Sequence, residues 1–134
     1  MVNSAVTYFC TVAGLWQAIG LGMGYAGNFP TSSYTEGVTA HAGGGRASAV
    51  AIVTEMTRVT TVGTAADSVV LPAAVPGMQL TVINAAASNA VQVFANGSDT
   101  IDGTAGATGY SQAAGKTVTY FSTAAAAWHK MISA

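Results

Sequence analysis

Few side chains in this sequence are of the types that carry out chemistry, so their spacing is weighed first. Histidine occurs only at His41 and His129, and neither has a second His or Cys at the short separations a zinc site uses. Both read as surface or interface residues. Gly22-Met23-Gly24-Tyr25-Ala26-Gly27 has the form of a dinucleotide fingerprint. That fingerprint works only between a strand and a helix, with an acidic residue about 20 positions on; here Pro30 stops any helix and the acidic residue is missing. Gly109-Tyr110-Ser111-Gln112-Ala113 echoes a nucleophile elbow, but no helix follows to expose the serine to a base. Asp99 and Asp102 are close enough to share a cation, yet the remaining ligands of a calcium loop are absent. Turn carboxylates of this kind usually accept from their own backbone. Asn96-Gly97-Ser98 is a glycosylation sequon by pattern alone. Cys10 is the single cysteine, so no internal disulfide forms, and it reads as a small buried apolar group. The sequence therefore points to no catalytic residue, no cofactor and no metal.

Composition narrows the classes further. Charged residues are 7% of the 134, against about 25% in an ordinary soluble domain. The cations are Arg46, Arg58, Lys116 and Lys130; the anions are Glu36, Glu55, Asp67, Asp99 and Asp102. Four scattered cations and a net charge of -1 give no footprint for nucleic acid. Disorder is excluded by 51% hydrophobic residues with no charged blocks. The apolar stretch from Ala13 to Gly27 is interrupted by glycines and is too short to span a bilayer. No Lys or Arg precedes Arg46, so the positive start of a secretory signal is missing, and a soluble, unprocessed chain is expected. Ala, Thr, Ser and Gly make up more than half of the residues. A chain that folds without a charged coat is poorly suited to life as a lone monomer. It reads as a subunit of an assembly.

The elements that position these residues fall into two parts. Gly43-Gly44-Gly45 marks a change of character and reads as a hinge. Before it, residues 1–46 form an extended, irregular N-terminal arm that is rich in aromatics. Val6 to Val12 reads as an extended run, and Leu15, Trp16 and Ile19 could share one helical turn. Pro30 holds Phe29 extended. Tyr8, Phe9, Trp16, Phe29 and Tyr34 are the expected arm anchors, laid into pockets on a partner.

Residues 47–134 are all β by pattern. Runs rich in β-branched and aromatic residues occur at 50–55, 58–62, 67–71, 79–83, 91–94, 117–121 and 128–131, separated by turn formers such as Pro76-Gly77 and Asn96-Gly97. Ala124 to Ala127 is too short to nucleate a helix and reads as a loop or strand edge. Alternation selects an inner face, and the core is expected at Val69, Leu71, Leu80, Val82, Val93, Ile101, Val118, Tyr120 and Trp128. Gly77 and Gly103 are expected turn positions. Strands without helices predict an antiparallel β-sandwich or roll.

An ordered set of motifs carries a resemblance. Asp67-Ser68-Val69-Val70-Leu71-Pro72, Gly77, Thr81-Val82-Ile83-Asn84 and Val91-Gln92-Val93-Phe94 are followed by Asp99-Thr100-Ile101-Asp102-Gly103, Gly115 and Trp128. From about Val50 onward the chain resembles β-rich structural proteins of tailed bacteriophages, of the head decoration and fibre type. The resemblance implies a trimeric module with no enzymatic role. The absence of a heptad stalk favours a capsid decoration (cement) protein on the virion exterior. Its expected partners are the major capsid protein and itself, as a homotrimer, with no nucleic acid, membrane or small-molecule substrate. The alternative is a tail-fibre or spike component binding a host receptor or glycan, with Tyr110, Asn96 and Asp99 as a shallow sugar site. A third class, a small bacterial adhesin or surface-layer unit, is disfavoured by the missing export signal.

Overall fold

The computed structural model describes residues 32–133 and, before them, the strands at 7–12, 15–19, 25–26 and 29–30 as backbone. The chain divides into two compact units, Met1–Ser32 and Ser33–Ala134.

In the first unit β1 (Thr7–Val12) pairs antiparallel with β2 (Leu15–Ile19), placing Cys10 opposite Trp16. A second antiparallel pair joins β3 (Tyr25–Ala26) to β4 (Phe29–Pro30). Leu15, Trp16 and Ile19 thus lie on a strand and not on a helical turn. A short helix has a costly nucleus, and pairing with the adjacent extended run satisfies the same backbone groups.

The second unit is all-β among the described residues. Its strands are β5 (Tyr34–Thr39), β6 (Val50–Ala51), β7 (Met56–Thr61), β8 (Ser68–Val70), β9 (Gln79–Asn84) and β10 (Val91–Phe94). They continue as β11 (Thr100–Ile101), β12 (Thr104–Ala105), β13 (Tyr110–Gln112), β14 (Thr117–Ala124) and β15 (Ala127–Ile132). One sheet has seven strands in the order β12-β11-β15-β14-β9-β7-β5, and the other has four in the order β13-β10-β8-β6. From β5 to β10 the chain alternates between the two sheets. Each return to a sheet is parallel to the strand laid down one coil earlier: β5 with β7, β7 with β9, β6 with β8, and β8 with β10. Tyr34 lies opposite Met56, and Met56 opposite Thr81, so one coil takes roughly 20 to 25 residues. β13 and β14 then run antiparallel to β10 and β9, and β15 pairs antiparallel with β14.

The sheets are therefore mixed and solenoid-like, which corrects the expected antiparallel pairing. Alternation along a strand shows which side chains face inward, and that pattern is the same for either strand direction. Direction is set by the connections. A parallel return needs a crossover of a dozen residues or more, and here each crossover runs through the opposite sheet. Where the chain does turn tightly it makes hairpins. Asp102 and Gly103 have φ of +48° and +77° and close the β11–β12 hairpin, the two-residue turn whose twist suits antiparallel strands. Ala125 and Ala126 close β14–β15, with Ala126 at φ +59°.

All nine expected core residues are buried, and Val69, Leu71, Val82, Val93, Val118, Tyr120 and Trp128 have no exposed surface. Trp128 Nε1 donates to Pro72 O at 3.3 Å. The second joint between sheets is polar. Asn84, at the end of β9, donates through Nδ2 to Gln112 O and Asn89 O at 2.9 and 3.0 Å. Gln112, in β13, donates through Nε2 to Val82 O and Lys116 O at 2.9 and 2.8 Å. No buried side-chain donor or acceptor among the described residues lacks a partner, as expected where each orphaned group costs about 1–3 kcal/mol.

The unit begins at Ser33, so residues 33–46, read from sequence as the end of the arm, form the first coil. Tyr34–Thr39 pairs with β7. The glycine run makes a packed corner: all three glycines have positive φ, Gly43 N donates to Asp67 Oδ1 at 3.2 Å, and Ser68 Oγ donates to Gly45 O at 3.2 Å. A Cβ on Gly44 would stand 2.9 Å from Ala66 O. A left-handed corner and a flexible hinge both require glycine, and the sequence pattern alone does not separate them.

Candidate interaction surface

The outer face of the seven-stranded sheet presents threonines interspersed with exposed Tyr34, Met56 and Met131. Register places Tyr34, Met56, Thr81, Thr119 and Met131 in one row across β5, β7, β9, β14 and β15. Arg58, Ile83 and Thr117 lie in a second row, and Gln79, Phe121 and His129 in a third. The period of two puts all of these on the side opposite Val59, Val82, Val118 and Trp128. Tyr34, Met56 and Met131 are 72%, 43% and 61% exposed. Thr81 Oγ1 and Thr119 Oγ1 are 3.2 Å apart and share a hydrogen bond, while the Phe121 and His129 rings lie 5.5 Å apart, tilted by 32°.

The face turns a corner where β6 leads into β7. There a cavity of about 220 Å³ is lined by Ile52, Val53, Pro72, Met78 and Leu80, with Ser33 and Glu55 on its polar side. Val53 and Val75 add exposed apolar surface at this corner and the loop beside it.

The formal charges on these rows are Arg58 and its partner Glu36, both about half exposed and neutral as a pair, and most other charged side chains are engaged elsewhere in the unit. Arg58 pairs with Glu36, and Lys130 with Asp102. Arg46 donates to Gly97 O, and Glu55 accepts from Ser33 N at 2.8 Å. Asp67 accepts from Thr64 Oγ1 at 2.7 Å and from the N–H groups of Gly63, Thr64 and Gly43. The Thr64 hydroxyl first, and those N–H groups with it, hold the Asp67 carboxyl below its ordinary value. Asp99 Oδ2 accepts from Ala74 N at 2.7 Å. For Asp102, partial burial works against ionisation, but the Lys130 ammonium outweighs it and the carboxyl is again lowered. Burial drives the Tyr120 phenol far above its usual range.

Asp99 and Asp102 serve the backbone and Lys130. Among the described residues no group of three or more His, Cys, Asp or Glu could hold a metal ion. Ser111 lies within strand β13, not on a strand-to-helix turn. Of the residues expected in a shallow sugar site, Asp99 accepts from Ala74 N and the Lys130 ammonium sits 4.7 Å above the Tyr110 ring. Of the expected anchors, Tyr34 stands exposed at the start of β5. Tyr8, Phe9, Trp16 and Phe29 lie in β1, β2 and β4, where their side chains are outside the described residues, as are most of the residues of the 22–27 glycine motif. Among the described residues no helix is long and apolar enough to cross a membrane. Sequence reasoning overlooked the outer face because it searched for the inward half of each alternation. The signal was the complementary set, Thr and Met where Lys and Glu are usual. Compared with family models, curated proteins and solved structures, the chain matches none.

Proposed function

We propose that the chain is a structural protein of a tailed-bacteriophage virion, a head decoration protein that binds the major capsid lattice from outside as a homotrimer. The observation that carries this reading is the outer face of the seven-stranded sheet, where Tyr34, Met56 and Met131 stand exposed among threonines and the Arg58–Glu36 pair is neutral overall. Such a face is a liability in a free monomer and an asset in an interface. An interface of standard size buries roughly 800 Å² per partner. Apolar burial at ~25 cal/mol per Å² opposes separation of the capsid subunits beneath it, less the cost of ordering both partners. An antiparallel sandwich is not needed for this role; a sheet with an exposed outer face suffices. The N-terminal unit, uncharged throughout, is the second contact, and its aromatics are the anchors.

The test is co-sedimentation with capsids stripped of the protein, with the mass measured by light scattering alongside. The expected results are saturable binding, a rise in capsid melting temperature, and a single species at three times 13.3 kDa. The second reading, a tail-fibre or spike component that binds a host receptor or glycan, draws on the parallel coiling, which stacks turns along one axis and suits an elongated part. Specific glycan binding without capsid binding would favour it.

A further inference from the structure

We infer that Asn96 is a site of spontaneous backbone modification, converting through a cyclic imide to aspartate and isoaspartate. The described asparagines differ sharply. Asn84 is buried with its side chain held at three points, and Asn89 Nδ2 donates to Val62 O and Gly63 O, both at 2.9 Å. Asn96 stands in solvent and is followed by glycine, whereas alanine follows the other two. The Asn96 carbonyl accepts from Asp99 N at 2.8 Å. That bond polarises the Asn96–Gly97 peptide and makes the Gly97 N–H more acidic. Gly97 has no Cβ to block its nitrogen, and its φ of +47° belongs to a turn of exposed residues at 96–98.

The step balances without any partner protein. Gly97 N bonds to Asn96 Cγ, the Cγ–Nδ2 bond breaks, and the side-chain nitrogen leaves as ammonia with the proton lost from Gly97 N. Water then opens the five-membered imide. Opening at Cγ gives aspartate, and opening at the main-chain carbonyl gives isoaspartate. Either product adds a negative charge near Arg46, whose guanidinium donates to Gly97 O. Isoaspartate also lengthens the turn that sets Asp99 against Ala74 N.

The full chain is incubated in mildly alkaline buffer, folded and in urea, and mapped by peptide mass spectrometry over time. The expected result is conversion in the folded chain at Asn96, with Asn84 and Asn89 intact. Gly97→Ala should slow it severalfold, and N96Q, whose longer side chain cannot close the same ring, should abolish it. A Cβ at position 97 meets nothing within 4 Å and adds only the strain of φ +47°, about 1–2 kcal/mol, so the alanine variant is expected to fold. Asn96 intact in the folded chain when the unfolded chain is half converted would overturn the inference. So would conversion in neither state, or equal conversion at Asn84, Asn89 and Asn96.

Discussion

Replacing Asn84 with leucine probes the joint between the two sheets directly. Asn84 has no exposed surface, and its side chain makes hydrogen bonds to Gln112 O, Asn89 O and Ala86 N. Leucine fills similar space and satisfies none of them. The Gln112 carbonyl and the Ala86 N–H are in buried bonds and would lose these partners, while the Asn89 carbonyl is near enough to the surface to recruit water. Two orphaned groups at about 1–3 kcal/mol each give a loss of roughly 2–6 kcal/mol. The whole unit is expected to hold only about 5–15 kcal/mol. For a domain of this size each kcal/mol moves Tm by about 4–8 °C, so a fall of at least roughly 8 °C is expected. Urea unfolding followed by circular dichroism measures the change, with N96A, which alters an exposed side chain, as a control expected within about 0.5 kcal/mol of wild type. An Asn84→Leu loss under about 1 kcal/mol would refute the reasoning that this polar joint, and not further apolar burial, ties β9 to β13.

Other outcomes follow from the same geometry. Gly106→Ala places a Cβ 2.4 Å from Asp99 O and 2.6 Å from Ala95 Cβ, and overpacking of this kind costs about 1–3 kcal/mol or more. Gly103→Ala meets no atom and carries only the strain of φ +77°, about 1–2 kcal/mol; thermal melts should rank the two in that order. Asp67 has a lowered carboxyl in the folded state, so its stabilising contribution is complete above the ordinary value of 3.8 and is lost as pH falls through the lower folded-state value. Asp67→Asn should flatten that acid limb of the stability curve, and an unchanged limb would remove Asp67 as its source. Thr119→Lys adds a charge to the middle of the outer face. It should leave unfolding within about 0.5 kcal/mol of wild type while weakening capsid binding, and wild-type binding would exclude that row from the interface.

Much of the inner architecture was legible in the sequence because period-two alternation is a local property. Leu80 and Val82, or Val118 and Tyr120, declare a buried face without reference to any partner strand. Pairing is not local, and that is where reading stopped. β11, β12 and β13 are too short to show a period, and Thr104 and Ala105 are both exposed. β5 hid behind Gly37 and a glycine run that looked like a hinge, although the run is a corner held by Asp67 and Ser68. Asp99 looked available for a ligand because its partner, Ala74 N, lies 25 residues away in sequence. Backbone partners at that distance leave no trace in spacing.

Methionine oxidation tests the central claim most directly, since Met56 and Met131 both project from the outer face while Met78 is half-buried at the corner. The free chain and capsids decorated with it are treated with the same brief pulse of peroxide, and sulfoxide is counted at each position. The account expects Met56 and Met131 to oxidise readily in the free chain and to be protected on the capsid. Equal oxidation at both positions in the two samples would show that the face stays open to solvent on the capsid, and would contradict its role as the docking surface.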